Sequence, residues 1–226
     1  MSGDNQIVIA VLARDCKLAL RAGGGWFYGV FFFCVFVALY AVTFGPETAV
    51  LRQGAPAIIW LAVAWSLQFT SASLFESDYA DGSLKAFAVQ TSHLFGYVVG
   101  KLGAVLLTTA VPMILMTPVI FIFLGISPKA AVTATVPLLV GIPAVVLLSA
   151  FSSAMSTGLR AGGVFAAIIA APFMMPSLIF GVLSLKTFFL TGLLWSPETF
   201  IVAAISLFIL ATTPWFIVQT LRVSLE

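Results

Sequence analysis

Apolar residues run in long blocks along this chain, and charged residues fall almost entirely between the blocks. A membrane-spanning helix needs roughly 20 apolar residues, and six blocks qualify, at about 26–44, 56–75, 94–124, 129–152, 163–183 and 199–221. The third would be ~46 Å long as a straight helix against a hydrocarbon core of ~30 Å. Two spans there would be too short, so it reads as one, with a kink predicted at Pro112 and Pro118. Pro56 is expected in the first turn of the second span, where its missing N–H is not needed, leaving GPETAVLRQGA (45–55) as a polar loop. Ser127-Pro128 and Ser196-Pro197 each read as an N-cap followed by proline at the first helical position. SLKTFFLTGLLWSPE (184–198) is too apolar to be fully solvated and is expected to dip into the outer interface.

Before the first span, QIVIAVLARDCKLALRA (6–22) places Arg14, Lys17 and Arg21 on one stripe of an otherwise apolar wheel. That is the pattern of a helix lying on a membrane; a short extension of the first span is the alternative. Gly23-Gly24-Gly25 then breaks the helix. The expected organisation is an all-α integral membrane protein. Residues 1–25 form an interfacial amphipathic helix, and 26–226 a six-span domain with a charged segment at 76–93.

Composition sharpens this picture. The chain of 226 residues is 62% hydrophobic and 8% charged, where an ordinary soluble domain is about a quarter charged. Mean hydropathy is +1.17. The net charge of +2 gives no reason to expect nucleic acid. With the N-terminus inside, Arg14, Lys17, Arg21, Lys85, Lys101, Arg160 and Arg222 share one side, against Arg52, Lys129 and Lys186 on the other. This split obeys the positive-inside rule and makes both termini cytoplasmic. Lys101 is expected at the inner interface, stem in lipid and ammonium among headgroups. Cys16 and Cys34 make neither a metal pattern nor a disulfide framework, and read as unpaired thiols. No basic stretch followed by an apolar core and a small-residue cleavage site opens the sequence, so no cleaved signal is expected.

The proposed spans contain no Asp or Glu, whereas ion-coupled carriers normally keep ionisable groups at mid-membrane. No GxxxxGKS or GxxxxGKT phosphate loop occurs, and the sole histidine, His93, falls on the cytoplasmic side. Any energy source is therefore expected in a partner. The segment FESDYADGSLKAF (75–87), charged between two apolar runs, reads either as a helical hook for such a partner or as a solvated loop. Asp81 is placed to cap a helix there.

DGSLKAF (81–87) followed by VVGKLGAVLL (98–107) resembles the hook of type-2 ABC exporter membrane subunits. More narrowly, GPE (45–47), APAIIW (55–60), LFESDYADGSL (74–84), GLRAGG (158–163) and PFMMPSLIFG (172–181) are similar, in order, to the CcmB family. The resemblance implies the membrane subunit of a haem exporter for cytochrome c maturation, in the bacterial inner membrane. ATP would be hydrolysed by a CcmA-type ATP-binding subunit, so this chain is not expected to be an enzyme. CcmC-type and CcmD-type membrane proteins and a CcmE-type haem chaperone are the further partners implied. The ATPase-coupling residues would be Asp78, Asp81, Gly82, Ser83, Leu84 and Lys85. Lys85 stands where the family usually has an acid, Thr91 where proline is common, and Ala72-Ser73 where an acid-basic pair often occurs.

Two outputs follow from that resemblance. Haem passes through the chain as a substrate, or the chain transmits ATP hydrolysis to release a haem-loaded chaperone without touching haem. His93 has the chemistry of an axial haem ligand but stands alone, and reads rather as an interfacial polar residue. Met113, Met116, Met174 and Met175 suit flexible packing. Pro172 and Pro176 suggest either a hinge or a fixed kink. Trp26, Trp195 and Trp215 suit interfacial anchoring, and Glu47 and Glu198 suit helix starts.

Overall fold

The computed structural model describes residues 2–21, 25–45, 47–89, 91–159 and 162–225. Every secondary-structure element among them is helical. In chain order they are α1 (Ser2–Arg21), α2 (Gly25–Phe44), α3 (Thr48–Ser71), the short α4 (Glu76–Ala80) and α5 (Ser83–Ala88), and α6 (Thr91–Val105). A π-helical turn at Leu106–Ala110 joins α6 to α7 (Val111–Phe123), and α8 (Pro128–Ser156), α9 (Gly162–Thr191) and α10 (Pro197–Val223) follow. Among the described residues six stretches are long and apolar enough to cross a membrane, as expected. Large apolar side chains such as Val42, Leu115, Leu190 and Phe208 are exposed along them, which suits a surface solvated by lipid. Gly23, Gly24, Gln90 and Arg160 lie outside the described residues.

Two boundaries differ from expectation. The second span begins at Thr48, so residues 48–55 are helical and Pro56 sits inside α3. Packing against α2 explains this. The Tyr40 hydroxyl donates to the carbonyls of Val50 (2.9 Å) and Leu51 (3.4 Å), and Gly54 leaves room for the phenol against the backbone. The fifth span does not stop near 183 but runs to Thr191, where the Gly192 N–H closes it on Phe188 O at 2.8 Å. An apolar segment without water satisfies its backbone most cheaply by staying helical. Only residues 192–196 remain as the connection, so the predicted interfacial loop is largely helix.

The third span is single, as expected, but its irregularity precedes the prolines. Pro112 lacks an N–H and its ring crowds the carbonyl of Thr108, four residues back. The π turn at Leu106–Ala110 opens the ladder at that place. Both cap-and-proline signals are realised. Ser196 accepts from the Thr199 N–H at 3.4 Å, while Ser127 is the N-cap residue without a side-chain cap bond.

At the centre, α8 packs on α3, α7, α9 and α10. The fully buried Trp60 of α3 enters this packing where two glycines make room. A Cβ on Gly181 of α9 would lie 2.5 Å from Trp60 Cε2, and one on Gly141 of α8 would collide with Trp60 Cη2. Trp60→Ala should therefore cost about 3–5 kcal/mol as an unfilled cavity. Thermal unfolding in detergent should show a midpoint lowered by roughly 10 °C; an unchanged midpoint would contradict the wedge.

Candidate functional site

The site is built where α3 ends. Past Ser71 the chain makes a turn that α8 holds in place. The Leu74 N–H donates to Ser153 Oγ (3.1 Å), which in turn donates to Ala72 O (3.3 Å), and Gln68 Nε2 reaches Ser152 Oγ (3.3 Å). Phe75 is fully buried at the end of this turn, so α4 starts with its inner face fixed.

That inner face carries Asp78, only 6% exposed. Its Oδ2 receives three donors: Arg14 Nη2 of α1 at 2.9 Å, Tyr97 Oη of α6 at 2.6 Å and Lys101 Nζ of α6 at 2.8 Å. Lys101 also donates to Leu74 O at 2.8 Å, reaches Asp15 Oδ2 at 3.4 Å, and lies over the rings of Phe75 and Tyr97. Arg14 Nε pairs with Asp15 Oδ1 at 2.7 Å. Two acids and two bases from three elements thus neutralise one another beside a cavity of about 520 Å³. For Lys101 this overturns the expected reach into the headgroups. Its side chain is 5% exposed, because Asp78, 23 residues earlier, offers a nearer counter-charge than water does.

The same contacts change the reading of the first helix. α1 packs along α6, with Val11 buried, and a Cβ on Gly100 would lie 2.9 Å from Val8 O and Val11 Cβ. Of the basic stripe, Lys17 and Arg21 are exposed while Arg14 turns toward Asp78. Burial works against the Arg14 charge, and the bonds to Asp15 and Asp78 outweigh it, so its pKa is raised above the ordinary arginine value.

The other predicted coupling residues divide by face. Asp81 is exposed and accepts from the Ser83 N–H at 2.8 Å, the local bond expected of it, but from one place before the N-cap position. That N–H holds the Asp81 carboxyl below its usual range. Gly82, at φ +80°, is the N-cap residue of α5. Ser83 is half-buried, its hydroxyl donating to Asp78 O at 3.4 Å, and Leu84 is fully buried. Lys85, Ala86 and Val89 face outward with Asp81. On the flank, Glu76 Oε2 accepts the Gly158 N–H at 3.2 Å and Tyr79 lies against Gly158, which ties the loop after α8 to α4.

Elsewhere, Pro172 and Pro176 both lie inside α9. Pro176 lines a second cavity of about 650 Å³ between α8, α9 and α10, with Phe151, Phe173 and Phe208. Met113 and Met174 are buried, whereas Met116 and Met175 are exposed. His93 is half-buried in the first turn of α6. Trp195 and Trp215 are exposed; the Trp26 side chain lies outside what is described. Among the described residues no group of three or more His, Cys, Asp or Glu could hold a metal ion, and Cys16 and Cys34 are free. The sequence did not reveal Arg14, Tyr97 and Lys101 as partners of Asp78, nor Asp15 as the second acid that pairs with Arg14 and Lys101. The signal was there in part: Asp78, Lys101 and Arg14 all border apolar runs, where an unpaired charge is costly.

Fold and site together define a polytopic helical membrane protein with an ion-paired, two-faced helical foot at one end. The CcmB protein family matches residues 6–224, so the chain belongs to the CcmB family. It is 35% identical to heme exporter protein B of Paracoccus denitrificans over 219 residues, which cover 96% of this chain and 99% of that protein. Its identity to heme exporter protein B of Bradyrhizobium diazoefficiens is 32%, over 96% of this chain and 98% of the relative. For the Pseudomonas aeruginosa protein of the same name it is 29%, over 95% and 96%.

Asp78→Asn should leave Lys101 buried with a weakened counter-charge and cost about 3–5 kcal/mol, more than Lys101→Met, which lets Asp78 keep Arg14 and Tyr97. The double variant should recover part of the loss. Unfolding midpoints of the three variants check this, and strict additivity would mean that the pair is not coupled.

Proposed function

We propose that this chain is the permease subunit of an ABC transporter that exports haem for c-type cytochrome biogenesis, with 76–89 as the foot on which a separate CcmA-type ATPase acts. Family membership and the haem-exporter names of the relatives support this reading. The observation that carries it is the foot itself. Asp81, Lys85, Ala86 and Val89 make an outward face on a pair of short helices, α4 and α5, whose other face is locked by Asp78 and Leu84. A short helix with one locked face is suited to sit in a partner's groove. Asp78 and Leu84 then position the foot, and Asp81, Gly82, Ser83 and Lys85 meet the partner.

In this reading ATP binding and hydrolysis belong to the partner and this chain catalyses nothing. It resides in the bacterial inner membrane with both termini cytoplasmic, and α1 rests at the membrane interface. CcmC-type and CcmD-type proteins and a CcmE-type chaperone complete the assembly. Pro172 and Pro176 beside the second cavity are where α9 would bend. A coupling role without haem passage is the second reading. It is favoured by the ties of the foot, which lead to α1 through Arg14 and to α8 through Ser153 and Gly158. ATP-driven haem movement into vesicles by the purified complex supports export; chaperone release without haem movement supports coupling.

Gly82 gives the most direct test. Its left-handed backbone costs an L-residue about 1–2 kcal/mol, yet no atom lies within 4 Å of an added Cβ. Gly82→Leu should therefore leave the membrane domain folded and deform only the foot. An ABC-type ATPase should co-purify with the C-terminally tagged protein in mild detergent and be lost from Gly82→Leu. Lys85→Glu should lower the yield less, as a rim charge does. Undiminished co-purification with Gly82→Leu would remove the foot from the interface.

A further inference from the structure

We propose that the cavity beside Asp78 binds the headgroup of a zwitterionic glycerophospholipid bearing a primary ammonium, with an acyl chain running along α2 and α3. Depth is the first reason. Counting about 20 residues, or ~30 Å of hydrocarbon, back from the end of α7 reaches residue 104. Lys101 and its partners therefore lie at headgroup level. Shape is the second. The polar cavity shares Thr70 and Ser73 with a smaller one of about 350 Å³, whose other walls are Tyr28, Phe32 and Phe69. Phe32 and Phe69 approach to 5.4 Å between ring centroids. A polar chamber opening into an aromatic groove fits one molecule with a polar head and an apolar tail.

Charge selects the class. Arg14 and Lys101 balance Asp15 and Asp78, so a ligand of net charge would leave a charge uncompensated in a partly desolvated place. A zwitterion would not. Arg14 uses Nε and Nη2 in its pairs, which leaves Nη1 for a phosphate oxygen. All three donors to Asp78 go to Oδ2, which leaves Oδ1 for an incoming ammonium. A primary ammonium has three N–H donors to give; a quaternary choline has none. A dianionic haem and an anionic phosphatidylglycerol both fail the charge balance.

The full-length protein would be reconstituted in vesicles of equimolar phosphatidylethanolamine, phosphatidylcholine and phosphatidylglycerol with identical chains. It would then be re-extracted, and its retained lipid weighed by native mass spectrometry. Phosphatidylethanolamine should be enriched roughly threefold over each of the others, as partly exposed charge pairs allow. Ser73→Trp, which plugs the junction of the two cavities without touching an ion pair, should abolish the preference. Should that variant not fold, Ser77→Leu at the cavity wall takes its place. Equal retention of the three lipids, preference for phosphatidylglycerol, displacement of the lipid by added haem, or a preference unchanged in the plugged variant would each overturn the assignment.

Discussion

One carboxylate oxygen holds this end of the helical bundle together. Asp78 Oδ2 accepts from three side chains on two helices that are not its own. Burying a carboxylate beside a bilayer costs several kcal/mol unless it is paired and hydrogen-bonded. Burying two cations nearby costs as much again. The cluster is tolerable only complete, and completeness requires α1, the α3–α4 turn and α6 to be in place together. The placement of the foot relative to the spans is thus set by electrostatics, in which the outward Lys85, Ala86 and Val89 take no part.

This explains why the six spans could be read from the sequence and the site only in part. A span is a local property: twenty apolar residues signal it wherever they occur. The Asp78 cluster is a non-local property, with partners 64 and 23 positions away that become neighbours only after folding. Treating Lys101 as an isolated lysine led to the headgroups; its actual neighbours lead inward. The segments at 48–55 and 184–191 look like loops because Arg52 and Gly54 interrupt the first and Lys186 the second. Their backbone has no better donor or acceptor than its own helix. Asp81, by contrast, acts on the residue two places on, and that local bond was legible.

The foot also has an orientation that composition does not reveal. Its charged letters look equivalent in the sequence, yet Asp78 is turned into the bundle and Asp81 out of it. Alternation of inward and outward residues over two short helices, broken at Gly82, separates anchoring from display. Gly158, by closing on Tyr79 and Glu76, brings the α8–α9 connection against the same foot.

Trp60 has a mechanical corollary. An indole seated in notches cut by Gly141 and Gly181 works as a pin through α3, α8 and α9, because a helix cannot slide or roll past a ring that fills the gap. At the level of Trp60 these three helices travel together in any conformational cycle. A bend of α9 at Pro172 and Pro176 would swing only its N-terminal half, while the part around Gly181 stays pinned to α3 and α8.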